Sequence, residues 1–230
     1  MANNLDLEEQ EQLAELKHFW NEWGNLISWL LIAVFGSIAA YNGWQYWQRT
    51  QSLQASALFD EVERAALQGD TGRVERAYMD IRDKFPRTAF AQQAGLLAAK
   101  VMTDKGNADG AKGALAWVAE NSSDDGYQAV ARLRLVSLLL ETKSYDEALK
   151  QLSASFPPEY EGLVADRRGD VFALQGKKAE AKAEYQKAYK ALDNTSDDRK
   201  VVEVKLTALG VDVRDLAPAP AAAASGAAKS

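Results

Sequence analysis

Phe19 to Arg49 reads FWNEWGNLISWLLIAVFGSIAAYNGWQYWQR, with no charged residue between Glu22 and Arg49. A bilayer hydrocarbon core about 30 Å thick takes about 20 residues of helix, and Leu26 to Trp47 supplies that length. Trp20 and Trp23 stand before the most apolar part, Leu26 to Tyr41, and Trp44 and Trp47 stand after it. Amphipathic rings at both ends of an uncharged run form the aromatic belt of a membrane span. A buried core helix is the plainer alternative, but such helices seldom carry tryptophans at both ends. A cleavable signal peptide is another, since Ser37-Ile38-Ala39 before Ala40 has a small-x-small spacing. The segment before it is long and acidic, however, where a signal peptide has a short positive one. The stretch is therefore expected to be a transmembrane anchor over residues 25–47.

Inside the anchor, Ala33, Gly36, Ser37, Ala40 and Gly43 share one helix face, with Leu31, Val34, Phe35 and Ile38 opposite. Small residues four apart let a second membrane helix approach closely. That face is the candidate docking surface for a membrane partner, although small residues are also common in membrane helices generally.

Toward the N-terminus, residues 1–24 form an acidic segment. Lys17 stands there against Asp6, Glu8, Glu9, Glu11, Glu15 and Glu22, so most of the formal net charge of −6 sits in it. Leu13, Leu16, Trp20 and Trp23 recur at helical spacing. A solvated lead-in to the span is favoured over a helix lying on the bilayer, because acidic groups are not attracted to anionic lipid. Lys17 flanks one side of the anchor and Arg49 the other, so the count of positive charges leaves the orientation open.

Toward the C-terminus, Gln51 to Leu209 reads as helix throughout, with no period-2 run. Breakers recur at Gly69 to Gly72, Phe85 to Thr88, Lys105 to Asn107, Asn121 to Gly126, Thr142 to Ser144, Phe156 to Pro158, Gln175 to Lys177 and Asn194 to Ser196. They delimit eight helices in four pairs and a ninth from about Asp197. The clearest pair has Gly169, Phe172 and Gly176 around its first helix and turn, then Ala181, Tyr185, Ala188 and Leu192. Small residues let the two helices cross closely and the aromatic fills the gap, as in a tetratricopeptide repeat. Val74, Ala111, Ala148 and Ala181 take equivalent places at intervals of 37, 37 and 33 residues. The fold class is therefore all-α. A single transmembrane helix precedes a tetratricopeptide-like array over 48–210, closed by a capping helix. Residues 211–230 read as a disordered Ala/Pro-rich tail. No breaker separates Trp47 from Gln68, so the anchor is expected to run into the first repeat helix.

Composition excludes several chemistries. Without cysteine there is no disulfide, thiolate nucleophile or cysteine-zinc site. The one histidine, His18, lies beside the anchor, so a Ser-His-Asp site in the array is ruled out. Asp124-Asp125 and Asp197-Asp198 occupy turn settings, and Gly106 to Gly110 lacks the lysine and hydroxyl of a phosphate loop. No enzyme activity and no cofactor are expected. The near-neutral array carries no basic footprint, so no nucleic-acid partner is expected either.

The first helices of stacked pairs line a groove. The repeat register places Phe59, Glu63, Leu96, Lys100, Leu133, Ser137, Leu163, Asp166 and Asp170 there. Its inner polar positions, Glu63, Lys100, Ser137 and Asp170, mix both charges. That argues against a clamp for a terminal carboxylate and for looser contact with apolar segments. The alternative is that the leucines simply pack between repeats.

Phe19-Trp20, Gly24, Gly43-Trp44 and Tyr46-Trp47-Gln48 around one span, followed by this degenerate array, resemble the YfgM family. Its members are ancillary subunits of the bacterial Sec translocon. The resemblance covers essentially the whole chain. It implies an inner-membrane protein, single-pass in the lipid bilayer, with a cytoplasmic N-terminus and a periplasmic array. It implies association with the SecYEG channel, with the membrane-anchored periplasmic chaperone PpiD and with secretory client proteins, which it helps pass to periplasmic chaperones. It also implies a role in regulating an envelope-stress response from the cytoplasmic side. A generic inner-membrane scaffold for cell-envelope or cell-wall assembly shares every physical feature and is the alternative.

Overall fold

The computed structural model describes residues 7–216, with side chains from 12 to 214. The first six residues and the Ala/Pro-rich stretch 217–230 lie outside the described residues. Among those described, every element is helical. The chain divides between Gln54 and Ala55 into two units.

The first unit is built on α1, Leu7–Leu67, which runs without a break. It is long and apolar enough to cross a membrane, and only 6% of its most apolar window is buried. That exposure does not fit a helix buried in this chain's own core. Ala33, Gly36, Ser37, Ala40 and Gly43 are all exposed on it. Its hydroxyls and amides turn inward: Ser37 donates to the Ala33 carbonyl at 2.7 Å, and Asn42 to Ile38 at 2.9 Å. Each thereby satisfies its own polarity without a partner, as an apolar environment requires. The acidic segment and the span are one helix from Leu7 onward, with no turn between them.

The second unit takes the end of α1 from Ala55 and continues through α2 (Thr71–Lys84), α3 (Ala89–Asp104), α4 (Ala108–Asn121), α5 (Asp125–Glu141), α6 (Tyr145–Leu152), α7 (Glu161–Leu174), α8 (Lys178–Ala191) and α9 (Asp197–Ala208). Single 3-10 turns lie at Pro158–Tyr160 and Val213–Leu216. The helix starts are written locally. Asp70, Thr88, Asn107 and Asp124 each accept a hydrogen bond from the amide three residues on, which satisfies a donor the helix cannot.

The turns inside the four pairs, and the one after α9, repeat one geometry. Gly69, Gly106, Lys143, Gly176 and Gly210 all have positive φ, at intervals of 37, 37, 33 and 34 residues. A left-handed residue just past a helix lets the chain reverse tightly, and glycine adopts it without strain. Lys143 does so with a side chain attached.

Val74, Ala111, Ala148 and Ala181, equivalent in the repeat register, are each fully buried. The close crossing at the last pair is as the pattern requires. A Cβ on Gly169 would stand 2.4 Å from the Tyr185 ring, which occupies that space. Two hydrophobic cores result. The larger contains Val62, Val74, Ile81, Met102, Val136 and Leu152, among others. The smaller joins Ala165, Tyr185, Ala188, Val202, Leu206 and Val211. Val211, assigned from composition to the tail, is thus buried beneath α9.

The repeats are tied at their ends by long polar side chains. Gln92 donates to the Pro86 carbonyl at 3.0 Å, and Gln128, four residues into α5 as Gln92 is into α3, to Ser122 at 2.7 Å. Arg132 reaches the Ala119 carbonyl at the end of α4, and Arg168 the Leu152 carbonyl at the end of α6. Arg199 reaches Leu192 after α8 and lies 3.9 Å above the Tyr189 ring. The three arginines each satisfy a carbonyl at or just past a helix end that has no intrahelical partner.

Candidate partner-binding groove

The first helices of successive pairs meet along one face of the second unit. Phe59 on α1 stacks obliquely on Phe90 of α3, with ring centroids 5.8 Å apart. Gln93 of α3 donates to the Tyr127 hydroxyl of α5 at 2.8 Å. Phe59, Leu96 and Leu133 are half-buried and pack against the larger core while keeping an edge toward solvent. Leu163 is half-buried and Glu63 exposed.

Lys100 and Ser137 come together. They line one cavity of about 250 Å³ between α3 and α5, above Leu115 of α4. Three further charged residues belong to the same cavity: Asp104, Arg134 and Glu141. The sequence reading passed over them. Their signal was present: Arg134, Ser137 and Glu141 recur at i, i+3 and i+7, hence on one helix face.

Asp166 and Asp170 stand apart from that cavity, in a network closed by the chain itself. Lys205 of α9 donates to Asp166 at 2.7 Å and pairs with Asp170 at 2.6 Å. Arg167 pairs with both, at 3.2 and 3.0 Å. The Tyr185 hydroxyl donates to Asp170 at 2.8 Å. Burial, and then the neighbouring Asp170, push the Asp166 carboxyl above its ordinary value despite the two cations. Burial also raises the Tyr185 phenol, helped by Asp170. These two aspartates join α7, α8 and α9, so their carboxylates are already engaged.

The whole pattern matches known proteins. A family model described as a tetratricopeptide repeat-like domain matches residues 17–211. A Neisseria gonorrhoeae protein named ancillary SecYEG translocon subunit is 32% identical over 88% of this chain and 98% of its own length. The chain belongs to the ancillary SecYEG translocon subunit (YfgM) family. An Escherichia coli protein of the same name is 25% identical over 88% of this chain and 97% of its own. A Haemophilus influenzae relative, named likewise, is 26% identical over 79% of this chain. The match takes in the apolar span together with the array, so the two units are features of the family and not separate borrowings.

Proposed function

We propose that this protein is a non-enzymatic, membrane-anchored adaptor of the Sec translocon. The N-terminal segment 1–24 lies in the cytoplasm, the span 25–47 crosses the inner membrane and the array 48–210 lies in the periplasm. The small-residue face at Ala33, Gly36, Ser37, Ala40 and Gly43 docks the anchor beside the SecYEG channel. The groove helices receive a partner domain, such as that of the chaperone PpiD, or a newly translocated client, and so help pass clients to periplasmic chaperones. A cytoplasmic-side contribution to envelope-stress regulation belongs to the same reading.

The observation that carries this reading is full-length kinship with proteins named as translocon subunits, spanning both the anchor and the groove. The exposed small face supports the docking role, since close helix approach needs small residues with nothing packed on them.

In-membrane photo-crosslinking from probes at Ala40 and Leu133 tests it. Channel subunits captured from Ala40, with a chaperone or nascent secretory chain from Leu133, are the expected adducts. Adducts confined to cell-wall enzymes would sink the reading and favour an envelope scaffold. The side of the array follows from single cysteines at Gln51 and Ser155, since the chain has no cysteine of its own. Labelling by a membrane-impermeant maleimide in intact spheroplasts is the outcome expected of a periplasmic array.

A further inference from the structure

The cavity between α3 and α5 has an apolar floor and a charged rim. Ala99, Leu115 and Leu138 form the floor and are all buried. Its hydroxyls are turned away from a ligand: Thr103 donates to the Ala99 carbonyl at 2.8 Å and Ser137 to Leu133 at 3.3 Å. The polar groups left to act are Lys100, Asp104, Arg134 and Glu141, all exposed. None of the four makes an ion pair or a side-chain hydrogen bond among the described residues. Two cations and two anions around one small cavity would ordinarily pair with each other where they can reach.

They are instead sorted by sign. α3 and α5 run in the same direction, because α4 reverses the chain between them through short turns. Lys100 and Arg134 therefore sit upstream on their helices, and Asp104 and Glu141 sit at the helix ends. Acidic residues at a helix C-terminus oppose the negative end of the helix dipole. α2, α6, α8 and α9 obey the usual rule and carry a basic residue in the last turn. α3 and α5 carry none there, as α4 and α7 also do not, but α3 and α5 end on the acidic side chains Asp104 and Glu141. The two helices that border the cavity thus leave an anionic end without a cation of its own, and a cationic end facing it.

We infer that this cavity is a subsite for an extended peptide segment that carries opposite charges on either side of apolar residues. The apolar side chains enter over Leu115 and Leu138. A carboxylate of the segment meets Lys100 and Arg134, and its ammonium or guanidinium meets Asp104 and Glu141. The helix rise of about 1.5 Å per residue separates the charged ends by about 6 Å on α3 and about 10 Å on α5. An extended chain covers that in two to three residues at about 3.3 Å each. The matching ligand has its two charges about three residues apart. A rim of both signs also rejects segments of a single charge, which would meet one like-charged end. This inference rests on the reading of the array as an adaptor that receives other chains, and it names the chemistry one subsite selects.

The test uses the full chain in nanodiscs and fluorescent, end-capped peptides. Glu-Leu-Leu-Lys and Lys-Leu-Leu-Glu, each flanked by Gly-Ser, cover both chain directions, with Gln-Leu-Leu-Gln as the neutral control. At least one charged order should bind about tenfold more tightly than the control, with the gain shrinking at high salt. In K100E/R134E the rim becomes wholly acidic, so that preference should pass to Lys-Leu-Leu-Lys. In D104K/E141K it should pass to Glu-Leu-Leu-Glu. Both are gains of binding, which an unfolded variant cannot imitate. Equal binding of charged and neutral peptides, or a preference that ignores the substitutions, would overturn the inference. Persistence of channel adducts from Ala40 in either variant would then show that the subsite alone had failed. Loss of those adducts in the wild type would instead count against the adaptor reading itself.

Discussion

Arg132 shows how much of the array is held by single side chains. Its two terminal nitrogens donate to Gln151 at 3.1 Å and to the Ala119 carbonyl at 3.0 Å, bridging the ends of α4 and α6. A lysine has one charged nitrogen where arginine offers a planar fork, and cannot replace it at two diverging acceptors. R132A should cost about 1–3 kcal/mol, the range for stranding partly buried acceptors of a charged donor, and R132K should recover only part of it. Urea unfolding followed by circular dichroism of the detergent-solubilised chain checks both. Lys143 gives the opposite case. It occupies a turn position where its four counterparts are glycine, at φ 56°. A left-handed conformation costs a non-glycine residue about 1 kcal/mol, so K143G should raise stability by up to that amount and move the unfolding midpoint to higher urea. Gly176→Ala at the equivalent turn should lower it. The glycines and their spacing were legible in the sequence because turn chemistry is local. The arginine staples were not, since an arginine's acceptor 13 to 16 residues away leaves no mark in the intervening pattern.

At the scale of elements, nine helices and their order could be read from periodicity and breakers, and the anchor from its uncharged length and tryptophans. What could not be read was the engagement of α9. The sequence marks it as an amphipathic cap, but not that its Lys205 crosses 39 residues to reach Asp166. The groove assignment of Asp166 and Asp170 therefore took two carboxylates as available that the cap already holds. The titration of Asp166 reports on that contact. Asp166 lies above its ordinary value of 3.8 in the folded chain, chiefly through burial. A carboxyl whose folded pKa is raised binds its proton more tightly in the folded state. Its contribution to stability is fully present below the unfolded value and is lost as pH rises through the elevated one. Wild type should accordingly gain on D166N as pH falls from 7 toward 3.5. The check is the difference in urea midpoints between the two at each pH. A difference independent of pH would mean that Lys205 and Arg167 compensate the buried charge fully.

The second unit has two cores along one chain of helices, and α7 serves both. Val164 and Val171 face the larger core, while Ala165 faces the smaller one with α8 and α9. In stacked repeats each repeat touches only its neighbours, so stability is close to a sum of local terms and unfolding can begin at an end. The smaller core is the weaker end, with fewer large side chains, and Leu206 and Val202 are its only fully buried large aliphatics among the described residues. Leu206→Ala should cost about 2–5 kcal/mol, the usual range for emptying a buried leucine site. If the array is modular, that loss stays local. Amide exchange should accelerate across α8 and α9 while the α3–α5 amides around Lys100 and Ser137 keep their protection. The cavity, built wholly from α3, α4 and α5, should then bind peptide unchanged in the same variant. Uniform acceleration from α2 to α9 would mean that the two cores melt as one. α7 would then be a rigid coupler between cap and cavity, and the Lys205 contact, far from the cavity, would set how firmly the whole groove is held.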